Sequence, residues 1–337
     1  ELIDVSKKIA DAGYIPMAMG DKALWPADSL AFSAFVNNFV GNDWFDSILA
    51  CDGKAAFTDK EFVDALDQYQ RLAKEGVFND NLSSIDNDQR GALYQNREAA
   101  MISAGNWECN SCVEIAPEVA EETQVALWPA PAENAKAHDS VVSSSAWGLA
   151  LGSNIDEEKI PYAMDFIANY ICSEDFGKVL AEEQGMFTPW KVEYDTSKLN
   201  IITQRGQEVS NADGVTRCLN WDSSLPASVK DVYQRGLQEV LMQIKEPADL
   251  ADEMQTAYEE YIDMKSACHG TVMTGGGLIG GTWCEQCWIK SKNENNILIC
   301  ASVFPSVYYC VCNTAFDGIW NQFYKLAGGK QNRFYCT

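Results

Sequence analysis

Residues 99–107 read Ala99-Ala100-Met101-Ile102-Ser103-Ala104-Gly105-Asn106-Trp107: an apolar run, a small polar turn, then an indole. An apolar run this short, closed by turn chemistry, suits a buried strand; a helix needs roughly ten or more residues to bury a stripe. Tyr14–Met19, Val125–Trp128 and Ala146–Leu151 have the same character. The segments between them have helical spacing instead. Thr58 and Glu61 form a capping-box pattern, flanked by Phe57 and Phe62 as a staple, and Phe62, Ala65, Leu66, Tyr69 and Leu72 follow on one face until Gly76. Pro161–Ile171 carries Phe166, Ile167 and Tyr170 on one side, and Ser173 caps a helix with Phe176, Val179 and Leu180 that stops at Gly185. Val229, Val232, Tyr233, Val240, Leu241 and Ile244 make another stripe, and Pro247 opens a last helix with Leu250, Met254, Ala257, Tyr258 and Tyr261 inward. Helices alternating with short buried strands predict an α/β layer fold, with ligands beyond the strand ends.

The loops at those ends carry tryptophan. Trp25 follows Gly20-Asp21-Lys22, Trp107 follows Gly105-Asn106, Trp147 follows Ser143-Ser144-Ser145, and Trp221 precedes Asp222. An indole on a loop offers a flat face for the apolar side of a sugar ring, and neighbouring Asp, Asn or Glu groups can bind hydroxyls. Half-buried packing is the competing account of each ring, and the shared location on strand-end loops favours a common cleft. Charge points away from other partners. The formal net charge of −24, with 49 acidic against 25 basic residues, excludes a phosphate backbone as the ligand.

The order of these motifs resembles the family 1 extracellular solute-binding proteins of ABC sugar importers. The matching stretches are Ala12–Gly20 with Trp25-Pro26, Phe57–Val63, Ala99–Met101 with Gly105-Asn106-Trp107, Trp128-Pro129-Ala130-Pro131, Ala146–Leu151 and Gly185–Pro189. The resemblance implies a type II periplasmic-binding-protein-like fold, in which two α/β lobes close on a carbohydrate without changing it chemically. It implies permease membrane subunits as partners, an extracytoplasmic place (in the periplasm or as a lipoprotein at the outer face of the membrane), a monomer, and no cofactor. By the same matching, Trp107 and Trp221 take positions where the family stacks aromatics on sugar, Trp25 and Trp147 line the cleft, and Asp222 accepts a hydroxyl. The family's opening segment has no counterpart before Glu1, where a helical pattern at Leu2, Val5 and Ile9 begins uncapped. The expectation is therefore a piece of a longer protein: C-terminal lobe over 1–137 and 189–265, with a returning segment of the N-terminal lobe over 138–188.

Residues 266–337 differ in kind and are read as a separate tail. They hold seven of the twelve cysteines and five Lys or Arg against three acidic residues. Three readings stay open: a metal site on Cys284 and Cys287 with Cys268 and His269, a disulfide-stapled extension, or sequence past a frameshift or lost stop. The uncharged window 297–316 has the length of a bilayer span, interrupted by Pro305 and Asn313. Cys109 and Cys112 form a second CxxC, read either as a disulfide or as two thiols. Two other functions compete with the receptor. A glycosidase-like carboxylate pair needs a spacing that nothing here singles out, and a ligand-free interaction repeat needs a fixed period that is absent.

Overall fold

A computed structural model of the protein describes residues 1–131, 133–143, 149–152, 154–188, 190–271 and 300–301. They fall into two compact units. Unit one comprises Glu1–Ser144 and Asn200–Met273, and unit two Ser145–Leu199 together with the pair at 300–301. The sequence-based edges of the returning segment were 138 and 188.

Unit one opens with α1 (Leu2–Asp11) and β1 (Ile15–Ala18). Parallel strands cannot be joined by a tight turn, and the chain leaves β1 through a long helical crossover. That crossover holds α2 (Trp25–Ala27), a π turn at Asp28–Phe32, α3 (Ser33–Val40), α4 (Asn42–Ala50), α5 (Lys60–Lys74) and α6 (Asn87–Gln95). It returns as β2 (Ala99–Ile102), which pairs in parallel with β1 in the register Ile15↔Ala99 and Met17↔Met101. Phe78 adds a parallel bridge at Met17. Beyond β2 lie α7 (Trp107–Ile115), α8 (Pro117–Glu122) and β3 (Ser140–Val142).

In unit two, β4 (Leu149–Ala150) leads through α9 (Ile160–Asp165), a π-helical turn at Phe166–Ile171 and α10 (Glu174–Gln184). Ser173 caps α10 by accepting from the Phe176 N–H, and Gly185 ends it with φ 62°, as the sequence predicts. The small core is Leu151, Met164 and Ile167. Phe166 and Tyr170, expected inward with Ile167, are exposed instead and stack on each other at 5.2 Å. The π turn there adds a residue to the helical circuit, so only Ile167 of the three keeps the inner face.

The chain returns to unit one with α11 (Ile201–Ser210) and β5 (Thr216–Cys218), which pairs in parallel with β3 in the register Ser140↔Thr216. Then come α12 (Trp221–Ser224), α13 (Ala227–Leu241) and α14 (Pro247–Thr271); β6 (Cys300–Ala301) pairs antiparallel with β4. The core of unit one is aromatic: Phe32, Phe57, Phe62, Tyr69, Trp221 and Tyr233 are buried together with Leu237, Leu250 and Met254. α13 and α14 approach so closely that a Cβ on Gly236 would stand 2.1 Å from Leu250 Cδ1. Pro247 starts α14 where a missing N–H is harmless, and Leu250, Met254 and Tyr258 are its buried stripe.

Several sequence expectations change. The capping box at Thr58 and Glu61 is not formed; α5 begins after Asp59, whose carboxylate accepts from Trp44 Nε1 at 2.8 Å and the Ala56 N–H at 2.9 Å. Val125–Trp128 is not a strand, because the Trp128 carbonyl is claimed by Asn38 Nδ2 at 3.1 Å rather than by a ladder. Ile244 lies past the end of α13 and is exposed. The break expected at Ser266 falls within α14, and the CxxC at Cys284 and Cys287, with the window 297–316 apart from two residues, lies outside the described residues. No helix among the described residues is long and apolar enough to cross a membrane.

Candidate functional site

Both strands of the first parallel pair end on the same side and open into loops that carry indoles. The exit of β1 is bent sharply before Trp25. Leu24 takes a left-handed φ of 70°, a conformation that costs a non-glycine residue about 1–3 kcal/mol. The turn is held by the Leu24 N–H donating to the Asp21 carbonyl at 2.9 Å and the Ala27 N–H donating to Asp21 Oδ1 at 2.8 Å. β2 exits through Ser103-Ala104-Gly105, and α7 begins at Trp107. Gly105 makes room for this ring position, since a Cβ on it would stand 2.2 Å from the Trp107 ring and displace it. These two exits bring Trp25 and Trp107 together, with ring centroids 6.4 Å apart and planes tilted by 53°. Trp25 is half-buried and Trp107 is 43% exposed. Such a pair presents indole surface to solvent, and an indole combines an apolar face with one N–H donor, a composition suited to a sugar ring.

The other predicted residues are placed differently. Trp221 has no free face. It is 1% exposed, lies parallel to Phe45 at 4.5 Å, and has Phe62 and Trp44 near-parallel at 5.7 and 5.9 Å. The expectation of a stacking platform at Trp221 is corrected: α12 turns the ring inward, against α4 and α5, where its burial stabilises the core. Asp222, the next residue, points outward enough to meet Lys230 Nζ at 3.4 Å and accepts from Ser29 Oγ at 3.3 Å, four residues along the chain from Trp25. Trp147 lies outside the described residues.

Below the indoles is a polar layer. Asp21 and Asp28 are both 0% exposed. Asp28 accepts from Ser33 Oγ and Tyr233 OH, each at 2.8 Å, and from Gln234 Nε2 at 3.3 Å; Asp21 accepts from Gln238 Nε2 at 3.2 Å. No cation faces either of them among the described residues, so burial pushes both carboxyls up to about 7. With no exposed surface they cannot reach a substrate, and their role is to tie the Trp25 segment to α13.

A second buried group was invisible in the sequence, where an arginine in a helical pattern reads as solvated. Arg90 of α6 is 0% exposed and donates to the Ser103 carbonyl and to Glu108 of α7. Burial lowers its guanidinium to about 10, which leaves it cationic at neutral pH. Cys109 and Cys112 are free thiols on α7, both pushed up by burial, and among the described residues no three His, Cys, Asp or Glu groups converge on a metal position.

Comparison with known proteins bears on this arrangement. Residues 1–173 match the family model described as bacterial extracellular solute-binding protein. Among curated proteins none matches the chain. Among solved structures, a chitin oligosaccharide binding protein is similar at 19% identity and TM-score 0.66, over 78% of this chain and 64% of that one. The maltose/maltodextrin-binding domain from Bdellovibrio bacteriovorus bound to maltotriose is similar at 19% identity and TM-score 0.57, over 78% and 65%. A sugar transporter from Bacillus licheniformis in complex with stachyose is similar at 14% identity and TM-score 0.57, over 77% and 65%. The chain thus spans slightly less than two thirds of the length of each.

Proposed function

The chain belongs to the bacterial extracellular solute-binding protein family, and from that premise we propose that it is the carbohydrate-capturing receptor of an ABC importer. The observation that carries this reading is the Trp25–Trp107 pair at the strand exits, with Trp107 open to solvent. Sugar rings have one apolar face and a belt of hydroxyls, so an indole platform rimmed by polar groups binds them without any reactive constellation. In this reading Trp25 and Trp107 stack, and Asp222 accepts a hydroxyl from the edge of the Trp25 segment. Unit one is the C-terminal lobe and unit two the returning part of the N-terminal lobe. The ligand is a mono- or oligosaccharide, which a monomeric receptor outside the cytoplasm hands unchanged to permease membrane subunits.

Calorimetric titration with maltotriose, stachyose, chitotriose and xylotriose tests this. One of these saturates the protein, is recovered intact by chromatography, and loses about 1–3 kcal/mol of affinity in Trp107→Ala. Hydrolysis of the sugar, or binding that ignores the loss of both Trp25 and Trp107, contradicts the reading.

A further inference from the structure

Both halves of the indole pair are referred to one helix beneath them. Gly20, at the exit of β1, lies so close to α6 that a Cβ there would stand 2.5 Å from the Asp86 carbonyl oxygen and 2.9 Å from Arg90 Cβ. Arg90 Nη1 donates to the Ser103 carbonyl at the exit of β2, and Nη2 donates to Glu108 in the first turn of α7, next to Trp107. Asn87, one turn earlier on α6, donates to the same Glu108 Oε1 at 3.0 Å. α6 is itself fixed at its start, where the Gln89 N–H donates to Asp86 Oδ1 at 2.9 Å and the Asp86 N–H donates to Gln89 Oε1 at 3.0 Å.

This network is a poor device for stability. Arg90 Nε, Asn87 Oδ1 and Glu108 Oε2 are buried with no protein partner among the described residues. A buried ionic cluster with unused polar atoms stabilises a fold less than apolar side chains of the same volume. What it supplies is direction, because a guanidinium is a rigid planar fork that fixes two acceptors relative to each other, and an ammonium does not. We infer that Arg90 is the positioning residue of the site: with Asn87, and through Glu108, it sets the Trp107 ring against Trp25. That the pair receives a sugar rests on the receptor reading; how the pair is held does not.

The test therefore uses the sugar-free chain. Two indoles 6.4 Å apart couple their electronic transitions, and the part of the circular-dichroism couplet due to this pair is the signal lost in both Trp25→Phe and Trp107→Phe. Arg90→Lys, which keeps the charge, and Glu108→Gln, which keeps the shape, should each lose most of that signal while the helical band and the buried tryptophan emission stay those of the wild type. A merely structural Arg90 would not separate these readouts. An undiminished couplet in either variant that folds overturns the inference. So does a wild type lacking the couplet, and so does failure of both variants to fold, since the network would then serve the fold. If calorimetry shows no sugar binding while the couplet behaves as expected, the receptor reading fails and the positioning role stands.

Discussion

Trp107 and Trp221 occupy the same local grammar and meet opposite fates. Each is the first residue of a helix, each follows an asparagine, and each comes shortly after a parallel strand, β2 in one case and β5 in the other. Yet Trp107 is 43% exposed and Trp221 is 1% exposed. The difference lies in what the rest of the chain brings to the ring. Over Trp221 the crossover helices deliver Phe45, Phe62 and Trp44. At Trp107 the Glu108 side chain of the first turn is held by Arg90 and Asn87, and the ring beside it is that of Trp25. The local sequence around a strand-end tryptophan does not decide whether its ring faces solvent or core; long-range packing does.

The contrast is broken most forcefully at the buried ring. Trp221→Ala should destabilise unit one by about 3–5 kcal/mol, the cost of emptying a packed aromatic site, read as a lower midpoint in urea. Trp107→Ala should move that midpoint by no more than about 0.5 kcal/mol, so any effect on sugar affinity would be local to the site. If the two substitutions cost the same stability, the division into core ring and site ring is wrong.

The Asp21–Asp28 layer sharpens the comparison through pH. Asp28 has a folded pKa raised to about 7 by burial, while in the unfolded chain it ionises near the ordinary carboxylate value. Between these values the folded state holds the extra proton, so this group's contribution to stability is complete at low pH and is lost as pH rises toward the folded pKa. Asp28→Asn removes that slope. Its stability relative to the wild type should increase between about pH 4 and about pH 7 and level off above that, as followed by urea melts at each pH. A difference that stays flat over that range would mean that Asp28 is ionised throughout, with its charge balanced by the three donors around it. At the exit of β1, Gly20→Ala would place a Cβ 2.5 Å from the Asp86 carbonyl oxygen, so the backbone there must shift; it should weaken the Trp25–Trp107 couplet and lower the urea midpoint together.

Much of the scaffold was legible in the sequence because its signals are local. β2 occupies the quoted apolar run, β1 lies within Tyr14–Met19, and Ser173, Gly185 and Pro247 punctuate helices as their chemistry requires. The helices between Pro26 and Ala50 leave no local signal, since every residue of α3 is buried. The strands β3 and β5 are too short to display alternation. At the site, the indoles at positions 25 and 107 could be picked out as loop residues. Arg90 could not, because nothing in its own helix distinguishes a buried arginine from a solvated one; Glu108 and Ser103, which explain it, reach it through tertiary packing. The inward turn of Trp221 was missed for the same reason, as Phe45 lies far from it in the chain.

Oxidative labelling of tryptophan, mapped by mass spectrometry in the free protein and in the presence of whichever oligosaccharide saturates it, addresses the receptor assignment most directly. The expected pattern is rapid labelling of Trp107, none of Trp221 in either state, and strong protection of Trp107 and Trp25 by the sugar. Labelling of Trp107 that proceeds at the same rate with the sugar bound, or a ligand-protected Trp221, would contradict the assignment.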